Sequence, residues 1–184
     1  MFLTSEKIND LKNDAVAVIV TSVFAQLARN FVTQAPLGNM PDSLLNTITL
    51  TIIGFSFFTL VVKGNVVFTH KNPDAQAAID HVLKFGSMFL MKKLVEVYLL
   101  NQPQINMEWV QQTAIALGSF AVYRFTLHQV IPKKINYYRE VEKAAAILGM
   151  TVVSNLLSGR GLTINWVDSL YDIIGWSIYF MYFS

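Results

Sequence analysis

The chain has 184 residues, 53% of them hydrophobic and 14% charged, with a net charge of +2 and no cysteine. Soluble domains carry roughly 25% charged residues, so the apolar surplus places the chain outside the ordinary soluble class and calls for lipid or a partner, a compact soluble helical bundle being the alternative. A near-neutral charge without a basic run gives nucleic acid no footprint, and the lack of cysteine excludes disulfides, thiolate metal sites and thiol nucleophiles.

Residues 1–13, MFLTSEKINDLKN, are polar, and no small-residue cleavage site follows a short apolar core, so no removable leader is expected. Asn13 and Asp14 are expected to cap a first helix over about 14–33, closed by Arg29. The link QAPLGNMPD holds Pro36, Gly38 and Pro41, which end one helix and begin the next. Ser43 to Val62 then gives twenty residues without a charge, and about 20 apolar residues suffice to cross a bilayer. After the polar stretch KGNVVFTHKNPD, the Asn72-Pro73 pair starts a helix that runs to about residue 101. NQPQINME turns the chain, and a fourth apolar run over 109–131 stops at Pro132. The connector KKINYYREVEK follows, with Tyr137 and Tyr138 suited to an interfacial aromatic belt. Two more runs, 144–159 and 166–183, flank the tight turn GRGLTIN.

These runs read as three helical hairpins, 14–63, 82–131 and 144–183, within one membrane domain over residues 1–184. Gly118 and Gly175 each stand nine residues after a tryptophan, Trp109 and Trp166, and Gly54 occupies the same place in the first hairpin. The opening helices align as VIVTSVFAQL (18–27), FGSMFLMKKL (85–94) and LGMTVVSNLL (148–157), matching Gly86 with Gly149 and Thr21 with Thr151. Gly54, Gly118, Gly149 and Gly175 are therefore expected to mark close helix contacts. The expected fold is an all-α, multi-pass transmembrane bundle of about six helices. Lys7, Lys12, Lys63, Lys71, Lys133, Lys134, Arg139 and Lys143 cluster at one set of ends, against Arg29 and Arg160 at the other. The positive-inside rule then puts both termini in the cytoplasm, or in the interior of a virion.

Charges inside spans cost roughly 2.5–3.5 kcal/mol at a helix centre, so Lys92, Lys93, Glu96, Arg124, Asp168 and Asp172 are the candidate functional residues. Lys92 and Glu96 can pair four residues apart, and Asp168 and Asp172 share one helix face. Lys93 and Asp172 fall at similar depth, which predicts an ion-pair network fastening the third helix to the sixth. A proton or cation path along the carboxylates is the alternative. His70, His81 and His128 show no ligand spacing and are expected at the surface or interface. No nucleophile elbow, phosphate-binding loop or dinucleotide fingerprint occurs, so neither an enzyme nor a cofactor is expected.

The texture LGMTVVSNLLSGRGLTINWVDSLYDIIGWSIYF, within 144–183, and more loosely 82–131, resembles small multi-pass membrane proteins of large icosahedral DNA viruses. The resemblance implies a virion membrane component under or between capsid proteins, structural and not catalytic. Its expected partners are the bilayer and either further copies of itself or capsid-like proteins, with no nucleic acid. The competing class is a small ion or solute transporter or channel that uses the intramembrane carboxylates.

Overall fold

The computed structural model describes residues 4–132, 134, 136–160 and 166–183. Lys133, most of the GRGLTIN turn and the side chain of Trp166 lie outside the described residues. Six α-helices occur, and no strand is found among the described residues: α1 (Ser5–Val32), α2 (Asp42–Phe57), α3 (Pro73–Leu99), α4 (Met107–Phe125), α5 (Tyr138–Leu157) and α6 (Trp166–Tyr182). A π-helical turn, Phe58–Val62, prolongs α2, and a 3₁₀ turn, Leu127–Val130, follows α4.

Local chemistry explains most helix ends. The Thr4 hydroxyl accepts from the Lys7 amide at 3.3 Å, so α1 begins nine residues before Asn13 and Asp14, which lie inside the helix instead of capping it. Asn72 caps α3 as expected, accepting from the amides of Asp74 and Ala75 at 2.8 and 3.3 Å. Asn106 caps α4 through the amide of Trp109 at 2.8 Å. The first link is held from inside, because the Nδ2 of buried Asn30 donates to the carbonyls of Pro36 and Asn39 at 3.1 and 2.9 Å. Two expected boundaries move. The α-helix α4 stops at Phe125 and not at Pro132, and α5 begins at Tyr138, so Arg139 to Lys143 are helical and not a loop.

The six helices close into a ring. Each helix packs on its neighbours in the chain, α6 packs back on α1, and among the described residues no close backbone approach joins helices that are not adjacent in this ring. The most extensive seams are α1 with α6, α2 with α3 and α4 with α5, which join one expected hairpin to the next. A core cluster of Val18, Ile48, Phe55 and Met88 sits where α1, α2 and α3 meet.

Glycine sets the approach at these seams. A Cβ on Gly54 would stand 2.8 Å from the Met88 Cα and 2.9 Å from its carbonyl oxygen. A Cβ on Gly175 would run into the Thr21 carbonyl oxygen, with the Thr21 Cα 3.1 Å away. A Cβ on Gly149 would stand 2.8 Å from the Tyr123 ring and 2.9 Å from the Leu127 side chain. Gly118 departs from expectation, since a Cβ there meets nothing within 4 Å.

Two helices, Ser5–Val32 and Asp42–Val62, are long and apolar enough to cross a bilayer, yet only 17% and 28% of their most apolar stretches are buried. That low burial distinguishes them from the core helices of a soluble protein. Ile19, Leu45, Ile53, Leu90, Val122 and Ile174 are among the large apolar side chains exposed on the outer faces.

Gly54→Ala and Gly175→Ala should each lower the thermal midpoint in detergent, by the equivalent of about 1–3 kcal/mol, because backbone atoms across the seam cannot yield. Gly118→Ala should hold or gain about 0.5–1 kcal/mol, the ordinary helix preference for alanine over glycine. Equal losses at all three positions would mean that Gly118 also makes a close contact.

Candidate functional site

The ionisable residues sort to the two ends of the ring. At the end carrying the N-terminus, Lys63 bridges Asp10 and Glu6, the latter at 3.2 Å, and Lys84 pairs with Asp14 at 2.6 Å. The hydrogen bond that Lys63 donates to Asp10 holds its ammonium above the ordinary range against the opposing effect of burial. Beside them Arg124 is a hub: its guanidinium donates to Asp74 at 2.9 Å and to Glu142 at 3.2 Å. Gln129 donates to Asp74 at 2.7 Å, and His128 stands 3.3 Å from Glu142. The fully buried Tyr123 donates its hydroxyl to the Glu142 carbonyl at 3.2 Å. This cluster ties the start of α3 to the end of α4 and the start of α5. Gln129, followed by Arg124, holds the Asp74 carboxyl below the usual carboxylate range.

At the opposite end Arg29 pairs with Asp168 at 2.5 Å and lies over the Tyr171 ring. Asp172 is exposed on the next turn of α6, beside Arg29 and Asp168. The expected Lys93–Asp172 pairing is therefore replaced by a partner on α1, for the simple reason that α3 and α6 do not pack together. Lys92 and Glu96 stand 3.9 Å apart along α3, and Lys93 has no carboxylate in pairing range among the described residues. The six predicted charges thus fall into separate groups at three places, not one network.

Three adjoining cavities open between the helices. A cavity of about 400 Å³ lies among Asp10, Asp14, Lys63 and Lys84. A second, of about 210 Å³, shares Asp14 and Lys84 with it and reaches Phe85, Met88 and Trp176. Those last three also line a third cavity of about 380 Å³ between α3, α4, α5 and α6, whose other walls include His81, Phe120, Ala146, Ile147 and Met150. His81 stacks between Phe85 and Phe120, with ring centroids 4.3 and 3.8 Å away. The one ammonium in this apolar room is that of Lys143, 3.6 Å from the Trp176 ring.

Sequence reasoning missed Lys143, Lys84 and Asp14, counting the lysine among loop charges and the aspartate as a cap. A signal existed: Lys143 is spaced three, four, seven and eight residues before Ala146, Ile147, Met150 and Thr151, one face of one helix. The histidines also depart from expectation. His70 is exposed, but His128 is buried and His81 is sandwiched between rings, because both sit where an aromatic face or a carboxylate receives the imidazole.

Asp74 is more readily ionised in the fold than its ordinary value of 3.8, so it contributes stability at neutral pH that disappears as the pH falls below that value. Asp74→Asn should therefore lose less stability than the parent between about pH 5 and pH 3 in detergent melts. Parallel acid profiles for parent and variant would remove Asp74 from the cluster's energetics. No family model matches this chain, and no curated protein or solved structure is significantly similar to it.

Proposed function

We propose that the chain is an integral membrane protein that crosses the bilayer six times, as three repeated hairpins, and serves a structural, non-catalytic role in a membrane assembly. The observation that carries this reading is the distribution of apolar surface. Helices rich enough in apolar residues to span a bilayer keep few residues of those stretches buried and expose Ile19, Leu45, Ile53 and Val61, while ion pairs collect at the two ends of the ring. A soluble bundle would have the reverse pattern.

The seams support the repeat. Gly54 meets Met88 and Gly175 meets Thr21, and the aligned opening helices put Met88, Thr21 and Thr151 at one repeat position. At the end of the ring Arg29 and Asp168 pair beside the exposed Asp172, and this charged surface supports lateral assembly through polar contacts. The resemblance of 144–183 points this assembly to a virion membrane beneath or between capsid proteins.

A reporter fused at Gly38 or Gln104 should lie on the opposite side of the membrane from both termini. Finding Gly38 and Lys134 on the same side would overturn the six-span topology. Since the chain has no cysteine, Asp172→Cys gives a single reporter of assembly. It should react with a soluble maleimide in detergent-isolated protein and be shielded in native membranes or particles. Equal labelling in both states would end the assembly reading.

The interior cavities favour one second reading, a small transporter. Its path would run through Asp14, Lys84 and Lys143, which line the cavities, and not through the exposed Asp172. Proton or cation flux in reconstituted vesicles that Asp14→Asn abolishes, with thermal stability unchanged, would put transport in place of the structural role.

A further inference from the structure

Two adjoining cavities near the start of α5 differ in character. The first, of about 260 Å³, is bordered by Arg124, Arg139, Glu142 and Lys143, with Arg124 already paired to Glu142 and Asp74. Arg124 also carries a buried Nε with no hydrogen-bond partner in the fold. The second is the apolar room of about 380 Å³ behind it, and Phe120, Lys143 and Ala146 border both. Pockets of about 300–1,000 Å³ are the usual size for small ligands.

Lys143 stands at the junction. Its ammonium lies over Trp176 and has no carboxylate in pairing range among the described residues, so one positive charge is set among apolar walls without a counter-ion. An uncompensated, half-buried cation is costly, and an anion bound beside it would remove that cost. A compact anion alone would leave the apolar room empty, and a neutral hydrocarbon would leave the ammonium unpaired. Only a molecule with an acidic headgroup and a hydrocarbon chain meets both needs.

We propose that this pair of cavities is a binding site for one anionic amphiphile, with its headgroup between Arg139 and Lys143 and its hydrocarbon chain against Phe120, Met150 and Trp176. A free fatty acid and an acidic phospholipid share that chemistry. The inference goes beyond the structural role and depends on the cavities, not on which way the protein faces in the membrane.

The test uses the full chain in a non-ionic detergent, with Trp109 and Trp166 replaced by phenylalanine so that Trp176 is the sole tryptophan. Three probes brominated on the acyl chain are titrated: a fatty acid, a phosphatidylglycerol and a phosphatidylcholine. Saturable quenching by one or both acidic probes, at least about tenfold tighter than by the phosphatidylcholine, is expected from a charge-assisted contact. Whichever acidic probe binds tighter identifies the source. Lys143→Met, which keeps the stem, should abolish the preference for acidic probes by weakening them tenfold. Ala146→Leu, which narrows the junction but leaves every charge in place, should weaken acidic probes while circular dichroism shows the helices intact. Equal quenching by acidic and zwitterionic probes would overturn the proposal, as would acidic binding unchanged in both variants. If Lys143→Met fails to fold, the Ala146→Leu result and the three-probe comparison decide it alone.

Discussion

Closure of the ring depends on how nearly the last helix can approach the first. Thr21 presents its carbonyl oxygen where a side chain on Gly175 would begin, and any larger residue there would push α6 off α1. The Thr21 hydroxyl is turned back onto the Ala17 carbonyl at 2.7 Å, which keeps it out of the seam. Arg29 and Asp168 then join the same two helices at their shared end. Without this seam the chain would be an open row of helices with α1 and α6 as bare edges, and the cavities bordered by Trp176 would lose a wall.

A closed ring creates its own problem at the centre. Helices pack with axes about 8–10 Å apart, so six in a regular ring leave space for roughly a seventh. The chain fills much of that space with rings, Phe55 edge-on to Phe85, His81 stacked on Phe85 and Phe120, and Trp176 against Tyr179 and Phe180. Flat side chains reach further from a helix than leucine does, yet they leave gaps between their faces. The chain of cavities from Asp14 to Lys143 is what remains.

Much of this was legible from residue order, for identifiable reasons. The number and sequence of helices followed from runs of apolar residues and from Asn72-Pro73, where chemistry is local. Gly54 and Gly175 were found because they stand at the same place in their hairpins, and Gly149 because it aligns with Gly86. The partners of the charges could not be read this way. Asp172 was matched to Lys93 on depth alone, whereas pairing needs neighbouring helices, and ring order put α1 beside α6. Arg124 looked like an intramembrane charge because the apolar pattern runs on past it. The α-helix stops one residue later, and the guanidinium meets Asp74 and Glu142 from two other helices.

The third seam is packed differently from the other two. Following the pattern of Gly54 with Met88 and Gly175 with Thr21, Gly118 would press against Thr151. Instead Gly118 is open, and a cavity of about 260 Å³ bordered by Ser119, Thr151 and Asn155 stands between α4 and α5. The close contact has moved to Gly149, which admits the Tyr123 ring near the start of α5. Burying Tyr123 there carries its hydroxyl to the Glu142 carbonyl and seats Arg124 between Asp74 and Glu142. The helix that follows then presents Lys143 to the interior. The close contact at Gly149 and the open one at Gly118 together leave this seam wider on the side of Ser119, Thr151 and Asn155 than near Tyr123.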